Sequence, residues 1–243
     1  MSNLSVSQGE GLQESNKCTL FSRLLSAVII LLLTGCVRLP DYALPQLIEN
    51  ENIADSLDQG ITYRILGVED FRSKSFPNNK EQADHLGAKI YTQVRLTKDS
   101  TFRFDSKLQS NQVMYSGKVE NIAFEAVMLP DYSWWSPKVP PFNKPYVLQH
   151  EQIHFALTEL TARRLSKSAR RKMQNFVIVD ATQKGAKEQL QRKITTLLKE
   201  ALNIDLRKQL ELDLETSLHF DPEKQQEWFE KVNAQLKETS IKK

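Results

Sequence analysis

His150-Glu151-Gln152-Ile153-His154 sets two imidazoles four residues apart, with a carboxyl group beside the first. On a helix, residues four apart share one face, with β-carbons roughly 5–6 Å apart, so His150 and His154 can both bind one small metal ion. Glu151 falls one step around the helix, placed to take a proton from a water on the metal without being a ligand itself. Neutral imidazoles plus one further nitrogen or oxygen donor, with a coordination position left open, suit Zn2+. The pentad therefore points to zinc-dependent hydrolysis, with Glu151 as the catalytic base and His150 and His154 as ligands.

A third ligand has few sources. The chain has two cysteines, Cys18 and Cys36, and four histidines, His85, His150, His154 and His219. Glu159 stands nine residues beyond His150, which turns it about 180° around the same helix. It is better placed to support a ligand or to pair with Arg163 at i+4. Asp213 and Glu215 lie toward the end of a second long helical segment; either can reach the metal or accept the N–H of a ligating imidazole. His219 sits just before Asp221-Pro222, where irregular backbone can turn a ring inward, and is the expected third ligand. His85, in Ala83-Asp84-His85-Leu86-Gly87, reads as a loop residue.

The elements that must hold these residues are legible in the apolar periods. Pro145 suits a first helical turn. From Tyr146 to Leu165 there is no Gly or Pro, and Leu148, Ile153, Leu157, Leu160 and Leu165 recur at near-helical spacing. The two histidines fall beside that stripe and so face the protein body. Upstream the pattern is β-like. Ile61 to Leu66 reads as a strand, Ile90 to Leu96 alternates as a half-buried one, and Thr101 to Phe104 and Gln112 to Tyr115 add two more. Ile122, Phe124, Ala126 and Met128 share the face of another. Four prolines between Pro137 and Pro145 mark the switch to helices. Beyond them everything is expected to be helical. Leu190, Ile194, Leu197, Ala201 and Leu202 mark a helix from about Ala186 to Thr216, and Asp221-Pro222 opens a last one through Trp228 and Val232.

The N-terminus carries a different signal. Lys17 and Arg23 precede the apolar run from Leu24 to Leu33, which is too short for a spanning helix and has the form of a secretory signal peptide. Its ending, Leu33-Thr34-Gly35-Cys36, resembles the bacterial lipobox, in which the cysteine is lipidated and becomes the new N-terminus. Cleavage there removes Cys18 and acylation blocks Cys36, leaving no thiolate to bind a metal. Val37 after Cys36, in place of Asp, favours the outer membrane, facing the periplasm. Residues 1–35 thus read as signal peptide, 36–60 as a lipid-attached tether with Pro40 and Pro45, and 61–243 as one domain, β-rich over 61–129 and helical over 145–238. With 33 basic and 30 acidic residues the net charge is only +3, and no basic patch is interleaved with aromatics, which excludes a nucleic-acid surface.

Several segments together resemble a bacterial domain-of-unknown-function family, numbered 922, described as secreted zinc-dependent proteases. They are Val68-Glu69-Asp70-Phe71-Arg72, Tyr132-Ser133-Trp134-Trp135, and Leu148 to Phe155 continuing through Glu159-Leu160-Thr161-Ala162-Arg163. Near the end, Asp213, Thr216, His219 and Trp228 are similar to the family's D-x-x-T-x-H-G…W pattern, although Thr216 to His219 is one residue longer here. The resemblance covers most of the chain after Cys36, in the same order. It implies an α+β, zincin-like fold: a small, mostly antiparallel sheet packed on the H-E-x-x-H helix, followed by a helical C-terminal region. It also supports His219 as a ligand. Trp134 and Trp135 are candidates to line a substrate groove beside an edge strand.

The expected function is that of a lipid-anchored zinc metallopeptidase of the cell envelope, acting on a peptide or protein. The competing expectation is a non-catalytic envelope lipoprotein, a scaffold or binding module, with a structural metal site or none. A fourth protein ligand closing the site would mark that second case.

Overall fold

The computed structural model describes residues 60–76, 86–216 and 220–240. The expected signal peptide and tether, with Cys36, and also His85 and His219 lie outside the described residues. No helix among the described residues is long and apolar enough to cross a membrane.

Three small antiparallel sheets form the β part. The first has β6 (Phe124–Met128) between β1 (Ile61–Thr62) and β3 (Thr92–Leu96), with Val94 opposite Ala126. The second pairs β2 (Ala88–Lys89) with β7 (Trp134–Trp135). The third joins β4 (Thr101–Gln109), β5 (Gln112–Asn121) and β8 (Val177–Asp180). Three helices follow: α1 (Lys144–Met173), α2 (Gln183–Thr216) and α3 (Pro222–Ser240). Pro145 lies in the first turn of α1. Asp221 caps α3, its carboxylate accepting the Lys224 N–H at 2.9 Å, with Pro222 at the first helical position.

Helix α1 is the hub. Phe155, Ala162, Leu165 and Ala169 join Val94, Phe124, Ala126 and Met128 in the larger core. Ile153, Ala156, Leu157 and Leu160 join Trp228, Val232 and Leu236 of α3 in a second. Burying such side chains is worth about 1.5–3 kcal/mol each, so α1 is fixed from two sides. Two consecutive polar residues also dock it to the segments between the strands. Gln152 accepts the Leu66 N–H at 2.8 Å and donates to the Arg64 carbonyl at 3.1 Å, standing in for a neighbouring strand. Glu151 accepts the Ile90 N–H at 2.8 Å.

Antiparallel sheets and a helical C-terminal part agree with the expected α+β class. Four local expectations need correction. The β structure is divided among three sheets instead of one. The first strand ends at Thr62, because Arg64 to Leu66 bond to the Gln152 side chain and not to a strand. The β4–β5 hairpin runs well past Phe104 and Tyr115, turning at Ser110 and Asn111, both in the left-handed region with φ of 50° and 63°. The region after Pro145 is also not wholly helical: Val177–Asp180 adds as an edge strand to β5, with Ile178 packed on the core.

Candidate metal centre

Helices α1 and α2 meet along a row of polar contacts whose order runs oppositely in the two helices, as antiparallel packing requires. Thr161 donates to the Asp205 carboxylate at 3.1 Å. One turn back toward the start of α1, the Gln209 amide reaches Thr158 and His154. Next Asp213 meets His154 and His150, and Thr216 meets His150. Asp205, Gln209 and Asp213 are four apart, so they form one stripe on α2 facing another on α1.

At the centre of the row three donor atoms converge. His150 Nε2 and His154 Nε2 lie 2.9 Å apart, and Asp213 Oδ1 stands 3.2 Å from the first and 3.0 Å from the second. The Nδ1 atoms are already engaged. Thr216 Oγ1 gives its own proton to the Leu212 carbonyl at 2.7 Å, so at 3.2 Å it accepts from His150 Nδ1. Gln209 Nε2 donates to the His154 carbonyl at 3.1 Å, which leaves its Oε1 to accept from His154 Nδ1 at 2.5 Å. With both Nδ1 atoms donating, each Nε2 turns a lone pair toward the carboxylate. Two lone pairs and a carboxylate oxygen in mutual contact call for a cation.

The three residues can hold a metal ion. Ligands at about 2.0–2.1 Å around a tetrahedral ion are separated by about 3.3 Å. The observed separations of 2.9, 3.0 and 3.2 Å need only a slight opening to meet that. His150 and His154 side chains are 12 % and 14 % exposed and Asp213 26 %, so the cluster is half-buried with a side open to solvent. Among the described residues no fourth His, Cys, Asp or Glu joins the three.

Electrostatics follow the same geometry. Burial disfavours the charged form of His154, but Asp213, Glu151 and the Gln209 contact outweigh it and raise its pKa to about 9. Burial likewise opposes the Asp213 carboxylate, yet the two imidazoles hold it well below the ordinary carboxylate range. A proton on His154 and a metal ion thus compete for one place. Burial pushes the Glu151 carboxyl up, with His154, His150 and the Ile90 N–H opposing and Asp213 adding to the rise.

The other candidates go elsewhere. Glu159 binds Arg163 at 2.7 Å, the partner its spacing predicts. Glu215 accepts the Trp228 indole N–H at 2.8 Å and faces α3. Trp134 is buried with its ring edge-on to Phe76, and Trp135 meets Phe71 in the larger core. Asp213, by sequence an alternative ligand or a partner for one, is the carboxylate of the triad. Gln209 and Thr216 as ring holders, and Asp205 behind Gln209, were not read from the sequence. Their only signal is the four-residue polar stripe, which an exposed helix face shows equally. Compared with protein-family models, with curated proteins and with solved structures, the chain finds no match.

Proposed function

We propose that the chain is a zinc-dependent metallopeptidase of the bacterial cell envelope, tethered by a lipid on Cys36. The observation that carries this reading is the convergence of His150 Nε2, His154 Nε2 and Asp213 Oδ1 beside the buried carboxyl group of Glu151. Two imidazoles and one carboxylate form a zinc-type donor set, and the resemblance to secreted zinc proteases points the same way. When bound there, zinc supplies Lewis acidity and lowers the pKa of a water to about 7. Glu151 takes the proton of the attacking water and returns it to the leaving amine. Its raised pKa brings it closer to the neutral range in which such a shuttle works. Ile90 holds Oε2 by its N–H, so the other oxygen carries the proton. Thr216 and Gln209 keep both rings in the ligating tautomer.

Metal analysis of the mature domain is the test. About one zinc per chain is expected, lost in His150→Ala, His154→Ala and Asp213→Ala and kept in His219→Ala. Zinc that survives Asp213→Ala but not His219→Ala returns the third ligand to His219. Iron in place of zinc assigns the site to the oxygen-activating two-histidine, one-carboxylate class and ends the peptidase reading. Glu151→Gln still offers an acceptor to Ile90, so it should keep metal and fold while losing at least about two decades of hydrolysis in a broad peptide screen. Equal cleavage by both proteins places Glu151 outside the chemistry.

A further inference from the structure

Behind Gln209, on the side away from the rings, lies a buried carboxylate for which neither packing nor charge pairing gives a reason. Asp205 is 8 % exposed. It accepts from Thr161 Oγ1 at 3.1 Å and from Gln209 Nε2 at 3.3 and 3.4 Å, and among the described residues it forms no ion pair. Burial pushes its carboxyl up, with Gln209, Thr161 and His154 opposing. Withdrawing a carboxylate from water against neutral donors alone is costly. An asparagine has nearly the same size and would still offer Thr161 an acceptor. The difference lies in what each can give: an ionised carboxylate only accepts, whereas an asparagine can turn either end of its amide to a neighbour.

That difference matters because the Gln209 carboxamide has two ways to lie, nearly equal in shape. Four acceptor atoms surround its nitrogen: the His154 carbonyl at 3.1 Å, Thr158 Oγ1 at 3.2 Å and the two Asp205 oxygens. Thr158 does not choose between the two, because a hydroxyl donates as readily as it accepts. The carbonyl and the carboxylate do choose, since a reversed amide would set its oxygen against both. The nitrogen therefore turns toward Asp205, and Oε1 is left to accept from His154 Nδ1 at 2.5 Å. In the reversed amide the nitrogen would donate to Nδ1, the ring proton would move to Nε2, and the atom at the centre would lose its lone pair.

We propose that Asp205 is a positioning residue of the metal centre: by only accepting, it locks the Gln209 carboxamide, and through it holds His154 in the tautomer whose Nε2 can bind an ion. This role rests on the metal reading above and needs no contact between Asp205 and the ion.

The experiment measures zinc affinity of the intact protein by chelator competition, beside thermal melting of its metal-free form. Asp205→Asn should weaken affinity by about tenfold, the lower end for a group that orients a ligand from behind, while the metal-free melting temperature stays level or rises. In the Gln209→Leu background no amide is left to orient, so the same substitution should change affinity by less than about twofold. A residue that serves only the fold would instead lower the melting temperature and leave affinity unchanged. Asp205→Ala repeats the series if the asparagine variant does not fold, and failure of both assigns Asp205 to the fold and overturns the proposal. Wild-type affinity in a folded Asp205→Asn protein overturns it and leaves the metal reading standing. A tenfold loss that persists in the Gln209→Leu background does the same, because Asp205 would then act directly through its charge. A wild-type protein that binds no zinc overturns the metal reading itself and this inference with it.

Discussion

Toward α3, helix α1 presents Ile153, Ala156, Leu157 and Leu160 to Trp228, Val232 and Leu236. Toward α2 it presents His150, His154, Thr158 and Thr161 to Thr216, Asp213, Gln209 and Asp205. The first seam is non-directional: its worth scales with apolar area removed from water, and small shifts change it gradually. The second is directional, because each donor needs its acceptor and an unmatched buried group costs about 1–3 kcal/mol. One helix therefore holds its site by two separable means. The apolar seam fixes where α1 lies, and the polar seam fixes which ring atom faces the centre.

Cutting into the apolar seam should cost the most stability. Leu160 is 1 % exposed, and Leu160→Ala should destabilise the domain by about 2–5 kcal/mol. Below its lowered melting temperature the variant should still bind one metal per chain. Urea unfolding beside metal analysis checks both, and loss of metal from the folded variant would show that the two seams are not separable.

Cutting into the polar seam should reverse the pattern. Gln209→Leu removes the acceptor from His154 Nδ1 and should weaken metal affinity by about 10–100-fold with the helices still docked, as chelator competition would show. Unchanged affinity would mean that His154 needs no help in choosing its tautomer.

The polar seam should also respond to pH. Since His154 is held at about 9 in the metal-free chain, the ion must displace its proton, and apparent affinity should rise about tenfold per unit from pH 7 toward 9. The sign for stability is opposite. A raised imidazole pKa stabilises the metal-free fold fully below about 6.5, and that contribution is lost as pH rises through about 9. Calorimetric titrations at several pH values would read the slope, and a flat profile would remove the proton from the competition.

The smallest effect belongs to the exposed rim of the same α1–α2 seam. Lys172 and Glu200 pair at 3.4 Å with both side chains about half exposed, so Lys172→Ala should change stability by less than about 1 kcal/mol. A larger loss on thermal melting would mean that the rim, and not the buried row, joins these helices.

How much of this was legible depended on whether a residue's partner is local. His150, Glu151 and His154 declare themselves because their relation is contained in one helical turn, and Glu159 with Arg163 follows the same rule. Asp205, Gln209 and Asp213 are just as regular, but a polar stripe gains meaning only when its facing helix is known. Strand β8 was hidden for a related reason. Val177–Asp180 is four residues set between helices of 30 and 34, and only the free edge of β5 makes it a strand. The length of the hairpin is masked in the sequence because β4 carries Arg103, Asp105 and Lys107 along its exposed face.

The ligands of the centre are contributed very unequally along the chain. His150 and His154 come from adjacent turns, whereas Asp213 is 59 residues beyond His154. An ion seated there would close a loop of that size as a reversible cross-link, taking in most of α1, all of β8 and most of α2. In the unfolded chain only the two histidines are near neighbours, so the full donor set exists only after α2 has docked. Such a staple slows opening more than it speeds folding. Its strength is set by the free metal concentration around the protein, so the lifetime of the folded domain would follow the metal supply of its compartment.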